Sequence, residues 1–277
     1  SNLQPWIDEF VPGAGKINSI EQFKGGQSNP TYKIVTESKN LVLRRKPPGK
    51  LLTSAHAVDR EYKVITALYQ TDVPVPKTYG LCEDDEIAGT AFFVMDFLDG
   101  DLFWNPMIPS LSNQDRTEIY QNKNKTLALL HGVDYKKIGL EDYGKPGNYV
   151  ARQVARWSKQ YRASETDDIE AMNNLIDWLP KNIPDDDETS IVHGDYRLDN
   201  MILKNNQVMG ILDWELSTLG HPIADFSYHC LSWRTQEAFW DQAKLKELGV
   251  PSEKEYMDMY CENTGKDLSK NWEFYMA

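Results

Sequence analysis

The sequence predicts an α+β fold with two lobes, a small β-rich lobe over residues 1–98 and a larger, mainly helical lobe over residues 99–277. Short apolar runs broken by Gly, Asn and Pro dominate the first part and are typical of strands. Helical patterns begin near residue 113 and continue to the end of the chain. A chain of 277 residues is long enough for one or two domains with a substantial core.

One helix interrupts the strands of the first lobe. The strands are predicted at 32–36, 41–46 and 91–95, and the helix at 55–69. Val58, Ile65 and Leu68 form an apolar stripe on this helix, and Glu61 falls on the stripe. A carboxylate in such a place is costly unless it is paired. We therefore expect an ion pair between Glu61 and Arg44 on the neighbouring strand.

The second lobe is predicted to be helical with few strands. Its helices are expected at 113–131, 148–162, 168–180, 222–232, 235–248 and 252–263, with Asn113 and either Ser164 or Thr166 as N-caps. The only strands expected there are a short one around Ile191-Val192 and a hairpin. The hairpin consists of apolar runs at 201–203 and 208–212 joined by a polar tetrapeptide. Centred on Asn205 and Asn206, its antiparallel register brings Asn200 and Asp213 together at the open end.

The candidate catalytic residues lie around this hairpin. Phosphoryl transfer needs a carboxylate that orients the acceptor and oxygen ligands that hold Mg²⁺ against the phosphates. Asp195 is expected to orient the acceptor, and Asn200 and Asp213 to bind the metal. Their spacing follows that of protein kinases. However, the sequence has His-Gly-Asp in place of His-Arg-Asp and Asp-Trp-Glu in place of Asp-Phe-Gly, which points towards small-molecule kinases. The alternative is that all three are solvated loop residues.

Other side chains near the motif allow two interpretations each. Arg197 either contacts the transferred phosphoryl group or forms a salt bridge to Asp199. His193 is expected to be a buried anchor, with a general base as the alternative, and Asp225 is expected to brace the catalytic loop, with a reacting group as the alternative. Glu215 is expected to be structural, although a metal contact is the alternative. Four further residues line an acceptor pocket or belong to the core: Trp104, Tyr228, His229 and Trp233.

The nucleotide-binding residues are predicted in the first lobe. A glycine-rich turn that can approach phosphates closely contains Gly25, Gly26, Gln27 and Ser28. Arg44 takes the position of the phosphate-binding lysine of kinases, and Lys46 on the same strand face is the fallback. A solvated basic cluster is the alternative for both. Adenine is expected at the backbone of Asp96, Phe97 and Leu98.

These motifs resemble the aminoglycoside phosphotransferase and choline kinase superfamily over roughly residues 17–277. The marks are His-Gly-Asp-x-x-x-x-Asn, Asp-Trp-Glu and the following Pro-x-x-Asp. Gly-Gly-Gln-Ser-Asn-x-Thr-Tyr and Val-Leu-Arg-Arg-Lys-Pro-Pro-Gly are similar to the kinase-like domains associated with acyl-CoA dehydrogenases. The resemblance implies a protein-kinase-like fold and an ATP- or GTP-dependent kinase with two Mg²⁺ sites. It also implies a hydroxyl acceptor such as a hydroxylated acyl compound, and a functional link to an acyl-CoA dehydrogenase.

Composition and motif spacing argue against several classes of partner and function. The net charge of −12 argues against a nucleic-acid partner, and there is neither an eighteen-residue apolar run nor a secretion signal. Three scattered cysteines indicate reduced thiols in the cytoplasm. Only twelve positions separate Asp213 from Asp225, which leaves no room for a protein kinase's activation segment. A nucleotide-binding pseudokinase module that regulates a partner enzyme is the alternative function. We expect the natural chain to continue beyond Ala277.

Overall fold

The computed structural model describes residues 2–23, 29–49 and 57–277. The chain divides into two compact units. The first comprises the described part of Ser1–Leu102 with Asn200–Lys204 and Met209–Glu215. The second comprises Phe103–Asp199, Asn205–Val208 and Leu216–Ala277. Among the described helices, none is both long enough and apolar enough to cross a membrane.

A five-stranded antiparallel sheet forms the centre of the first unit. Its strands are β1 (Ile17–Gln22), β2 (Thr31–Thr36), β3 (Asn40–Arg45), β4 (Thr78–Cys82) and β5 (Phe92–Asp96), in the order β1-β2-β3-β5-β4. The register places Arg44 of β3 between Thr31 and Phe93. Because β3 is a central strand, both of its edges are hydrogen-bonded to neighbouring strands, and Leu41, Val42 and Leu43 are buried.

One face of this sheet is covered by α1 (Leu3–Phe10), a helix that the sequence analysis did not predict. Trp6 packs edge-on against Phe92, with ring centroids 5.1 Å apart. Leu41 and Leu43 of β3 belong to the same buried cluster. Eight residues contain too few turns for periodicity alone to reveal a helix, so the packing of its apolar side chains on the sheet defines it.

The opposite face of β3 carries Val42 and Arg44, and the helix α2 (Val58–Leu68) lies near it. The apolar stripe predicted on α2 is buried, and Glu61 is buried with it at 1% exposure. The short helix α3 (Asp85–Ala88) precedes β5 and was also not predicted. Its N-cap is Asp84, whose carboxylate accepts a hydrogen bond from the backbone N–H of Glu86.

The second unit is mainly helical. Its helices are α4 (Asn113–His131), α5 (Tyr149–Ser164), α6 (Glu170–Trp178), α7 (Pro222–Cys230), α8 (Ser232–Thr235), α9 (Gln242–Leu248), α10 (Glu253–Thr264) and α11 (Trp272–Met276). Helix α10 packs on α4, and α11 packs on α7. The predicted α+β composition is confirmed.

Several helix boundaries differ from the prediction for local reasons. Asn113 is not the N-cap of α4, because Ser112 accepts the hydrogen bond from the N–H of Asp115. Ser164 ends α5, and Ile169 precedes α6, so neither Ser164 nor Thr166 caps it. The helix predicted at 235–248 is broken, because Asp241 caps a new helix through the N–H of Lys244.

Four short strands complete the fold. They are β6 (Ser190–Val192), β7 (Met201–Lys204), β8 (Gln207–Ile211) and β9 (Thr218–Gly220). Strand β9 was not predicted, and it pairs antiparallel with β6. Strands β7 and β8 pair as the predicted hairpin. Asn205 and Asn206 both have positive φ, as a two-residue hairpin turn requires, so the predicted turn is confirmed.

Candidate functional site

Arg44 and Glu61 form the predicted ion pair within the first unit. Arg44 Nε lies 2.9 Å from Glu61 Oε2 and donates to Oε1 at 3.1 Å. Asn29, which follows the glycine-rich segment in the sequence, donates a second hydrogen bond to Glu61 Oε1 at 2.8 Å. The sequence analysis did not identify Asn29 as a partner. Two donors therefore hold one buried carboxylate and fix the direction of the Arg44 side chain.

Burial nevertheless dominates the ionisation of Glu61. Desolvation raises the pKa of Glu61 from 4.5 to about 7, although the Arg44 charge and the hydrogen bonds from Arg44 and Asn29 lower it. The Arg44 guanidinium is also desolvated, which by itself lowers its pKa, but Glu61 and Asp213 raise that pKa overall. Arg44 thus stays charged whether or not Glu61 carries a proton.

Arg44 also contacts the residues that follow β8. Its second terminal nitrogen lies 2.5 Å from Asp213 Oδ1 and 3.7 Å from Glu215 Oε2. Glu215 therefore has an ion-pair partner, as its structural interpretation requires. Asp213 has φ of 62°, a left-handed conformation that is unusual for a residue with a side chain. Such conformations concentrate at functional positions, where the surrounding structure imposes them.

The hairpin register brings Asn200 to the level of Asp213. Leu212 donates its N–H to the backbone carbonyl of Asn200 at 2.8 Å, at the open end of β7 and β8. The predicted approach of Asn200 and Asp213 is therefore confirmed. An amide oxygen and a carboxylate are hard donors that suit Mg²⁺. Among the described residues, no three His, Cys, Asp or Glu side chains form a metal site by themselves, so phosphate oxygens would have to complete the shell.

Lys46, the fallback cation, has a different partner from Arg44. Strand β3 ends at Arg45, and Lys46 Nζ lies 3.8 Å from Asp59 Oδ1, with both side chains substantially exposed. Of the two candidate cations on this strand, Arg44 is therefore the one that lies in the interior.

In the predicted hinge, residues 96–98, one backbone N–H group has no hydrogen-bond acceptor among the described residues. Asp96 donates its N–H to Lys77, and Phe97 donates its N–H to Asn40. Leu98 N–H donates to none of the residues that the structure describes. The Leu98 side chain lies against Gly210, where an added Cβ would be 2.2 Å from Leu98 Cδ1. Gly210 thus allows this close approach. Gly25, Gly26, Gln27 and Ser28 lie outside the described residues.

In the second unit, Asp225 organises the segment before Asp195. Asp225 accepts hydrogen bonds from the backbone N–H groups of His193 and Gly194, both at 2.9 Å, and lies 3.1 Å from His131 Nε2. Burial by itself would raise the pKa of Asp225, but His131 and the His193 N–H lower it below its ordinary value. The predicted brace is therefore present, and His131 is a member that the sequence analysis missed.

His193 is fully buried and anchors the loop, as predicted. Its Nδ1 accepts a hydrogen bond from the backbone N–H of Asp195 at 3.2 Å. The Asp195 side chain is 29% exposed, so solvent reaches its carboxylate. Held from the backbone with an accessible carboxylate, Asp195 is suited to accept a proton from a bound hydroxyl.

Arg197 forms the salt bridge that was one of its two interpretations. Its Nε donates to Asp199 Oδ1 at 3.0 Å and its terminal nitrogen to Oδ2 at 2.6 Å. Arg197 Nε is 4.0 Å from Asp195 Oδ1. The guanidinium side chain remains 61% exposed, so pairing with Asp199 does not remove it from solvent.

A cavity of about 190 Å³ lies within the second unit, next to Arg197 and Asp199. It is lined by Trp104, Pro106, Tyr120, Lys123, Tyr196, Arg197, Leu198, Asp199, Tyr228, His229, Leu231, Ser232, Trp233, Thr235, Gln236 and Phe239. The lining includes all four residues that the sequence suggested for an acceptor pocket. Two of them, Trp104 and Tyr228, are also largely exposed, at 73% and 57%.

Lys123 is a charged member of this cavity that the sequence analysis missed. It lies on α4 and is only 4% exposed. Burial lowers the pKa of Lys123 to about 7, despite opposing effects of Cys230 and Asp199. A signal was available, because Lys123 lies at helical spacing between the buried residues Tyr120 and Leu127. The argument applied to Glu61 holds equally for Lys123.

The chain is similar to proteins of a known family. The model of the phosphotransferase enzyme family matches residues 19–260. Acyl-CoA dehydrogenase family member 10 of Mus musculus is 46% identical over 92% of this chain and 25% of its own length. Acyl-CoA dehydrogenase family member 11 of Homo sapiens is 40% identical over 100% of this chain and 37% of its own length. The chain therefore spans between a quarter and just over a third of these relatives.

Solved structures share the fold. A protein from Ralstonia eutropha, provisionally assigned as an aminoglycoside phosphotransferase, matches with a TM-score of 0.90 and 48% identity, over 99% of this chain and 83% of that one. A macrolide 2′-phosphotransferase from Brachybacterium faecium matches with a TM-score of 0.66 and 14% identity, over 99% and 86%. The predicted kinase-like fold is confirmed.

Proposed function

This chain belongs to the phosphotransferase enzyme family, and from that premise we propose that it transfers the γ-phosphoryl group of ATP or GTP to a hydroxyl group of a small molecule. The family match confirms the resemblance drawn from the motifs. The observation that carries the proposal is the pairing of Asn200 with the hairpin end that holds Asp213 in a left-handed conformation. A module that only binds Mg²⁺–nucleotide could use this pair, but it would have no need for the acceptor-orienting carboxylate of Asp195.

Each residue has a separate role in this proposal. Asn200 and Asp213 would hold Mg²⁺, which neutralises charge on the phosphates when bound. Arg44, directed by Glu61, binds phosphate oxygens bidentately. Asp195 orients the acceptor hydroxyl and takes its proton as the oxygen attacks phosphorus. Arg197 supplies positive charge near the transferred group, in exchange for part of its bond to Asp199. The backbone of residues 96–98, chiefly Leu98 N–H, binds adenine.

The family relatives support a narrower acceptor class. The two sequence relatives named above are members 10 and 11 of the acyl-CoA dehydrogenase family, and this chain matches only a minor part of each. We therefore propose a hydroxylated metabolite, such as a hydroxylated acyl compound, as the acceptor, with a functional link to a dehydrogenase. The three cysteines are free thiols, which supports a reducing, cytoplasmic setting.

A nucleotide-consumption screen tests the proposal. Purified chain with ATP or GTP and Mg²⁺ is incubated with sugars, amino alcohols, hydroxy acids and hydroxyacyl-CoA compounds, and nucleoside diphosphate release and phosphorylated product are measured. We expect turnover with at least one class, and none with the Asp195→Asn variant. Tight Mg²⁺–nucleotide binding without transfer to any hydroxyl would favour the regulatory pseudokinase instead.

A further inference from the structure

The cavity beside Arg197 and Asp199 contains a buried cation without an anionic partner. Lys123 is 4% exposed and lines the cavity from α4. Among the residues that the structure describes, no carboxylate lies within salt-bridge distance of its amino group. The nearest described aromatic contact is Tyr120, whose ring centroid is 5.1 Å from Lys123 Nζ. A buried ammonium without a counter-ion is costly, so its retention calls for a partner that is not part of the folded chain.

The charged groups around Lys123 do not supply that partner. Of the described residues that line the cavity, Asp199 is the only one with a carboxylate, and both of its oxygens are bound by Arg197. His229 lies on the neighbouring helix and is fully buried with its Nε2 bonded to Tyr256, and burial lowers the pKa of His229 well below its ordinary value. His229 is therefore neutral. With Arg197 and Asp199 offsetting each other, a protonated Lys123 leaves the cavity with one excess positive charge.

We propose that Lys123 binds an anionic oxygen group, carboxylate or phosphate, on the same molecule that offers the hydroxyl for phosphorylation. This inference rests on the proposed phosphotransferase function and names its acceptor class. The volume of about 190 Å³ suits a compact acceptor or the end of a longer one. The aromatic walls contact its carbon skeleton, and Lys123 neutralises its charge. A polycationic acceptor is disfavoured, because its amines would meet Lys123 in a low-dielectric cavity.

The lowered pKa of Lys123, about 7, agrees with this role. An empty cavity lets the amine release its proton at neutral pH, which limits the cost of burial. An anion that enters favours the charged form and is paired at once. The negative net charge of the whole chain, −12, therefore gives no guide to the charge preference of this cavity.

The test compares matched compounds on one carbon skeleton. Lactate, lactamide and 1-aminopropan-2-ol share a skeleton and a hydroxyl but differ in charge, and glycerol 3-phosphate with glycerol forms the phosphate arm. Calorimetric affinities are measured in the presence of ADP and Mg²⁺ for wild type, Lys123→Met, Lys123→Arg and the control Lys125→Met. Lys125 lies on the same helix but is exposed.

We expect wild type and Lys125→Met to bind at least one anionic compound tenfold or more tightly than its neutral or cationic counterparts. Lys123→Met should lose this preference and Lys123→Arg should recover part of it. Equal affinity for anion, amide and amine, no binding of either anion, or a preference that survives in Lys123→Met would each overturn the inference. Selective anion binding without phosphoryl transfer would overturn only the proposed function, and transfer to amines without anion preference only the inference.

Discussion

Replacing Arg44 should destabilise the first unit in a pH-dependent way, because Glu61 would lose its ionic partner in a buried position. We consider Arg44→Met, which keeps the apolar length of the side chain. Glu61 is 1% exposed, and its pKa is about 7 in the folded chain against an ordinary 4.5. At about 1.4 kcal/mol per pKa unit, ionising Glu61 in place already costs about 3 kcal/mol with Arg44 present.

The loss of stability expected for Arg44→Met follows from the ionisation of Glu61. At pH 7 the Arg44→Met variant can protonate Glu61, so the loss is mainly that of charge-assisted hydrogen bonds, about 1–3 kcal/mol. Above pH 7 wild-type Glu61 is ionised and paired, whereas in the variant it must still bind a proton. The destabilisation should therefore grow by about 1.4 kcal/mol per pH unit, reaching about 3 kcal/mol more at pH 9.

The sign for the wild type follows from the raised folded-state pKa. Between pH 4.5 and about 7 the folded chain binds more protons at Glu61 than the unfolded chain does. The Glu61 contribution to stability is thus fully present below about 4.5 and is lost as the pH rises to about 7. Glu61→Gln should remove this slope, because an amide does not titrate in this range.

Urea unfolding of Arg44→Met, Glu61→Gln and the double variant, each at pH 6, 7.5 and 9, measures the coupling. Lys46→Met is the matched control and should cost less than about 1 kcal/mol, because its pair with Asp59 is exposed. The reasoning is refuted if Arg44→Met costs the same at all three pH values, or if it costs as much in the Glu61→Gln background as in wild type.

Three further predictions concern the proposed chemistry and the loop that supports it. Asp195→Asn should lower kcat by about 10²–10⁴ while leaving nucleotide affinity nearly unchanged, since Asp195 is proposed to contact the acceptor and not the nucleotide; collapse of nucleotide affinity in calorimetry would reverse the assignment. Asp213→Ala should abolish activity and weaken Mg²⁺–nucleotide binding but not binding of metal-free nucleotide; equal affinities for wild type and variant with and without Mg²⁺ would exclude a metal site. Asp225→Ala should lower the free energy of unfolding by about 3 kcal/mol, because it leaves two buried N–H groups and His131 without their acceptor; urea unfolding that shows less than about 1 kcal/mol would mean that Asp225 does not brace the loop.

Local patterns in the sequence were sufficient for the hairpin and for the Arg44–Glu61 pair. Asn205 and Asn206 specify a tight turn by their tolerance of positive φ, and the antiparallel register then follows from the pairing geometry. Glu61 lies on an apolar stripe, and any buried carboxylate needs a nearby cation. Both inferences use residues close in sequence, or a cost that applies in any fold.

Other features depended on contacts between distant parts of the chain. The sequence left Arg44 and Lys46 open, and the structure separates their surroundings: Arg44 pairs with the buried Glu61, whereas Lys46 lies beyond the strand and pairs with Asp59. Strand β9 has three residues and is a strand only because β6 pairs with it. Helix α1 is defined by its packing on the sheet. Propensity is weak over such short segments, so tertiary contacts determine their conformation.

The cavity proposed for the acceptor shows the same difference between what the sequence determined and what the tertiary structure determined. Residue types and the motif placed Asp195, Asn200 and Asp213 in their proposed roles, since phosphoryl transfer requires those groups at that spacing. The cavity itself combines side chains from α4, the segment after Asp195 and α7, which are far apart in the sequence. Lys123 shares helical spacing with its apolar neighbours, but only the packed structure shows that no carboxylate in the described chain pairs with it. The sequence thus determines the chemistry available, and tertiary packing decides which charges are left for a ligand.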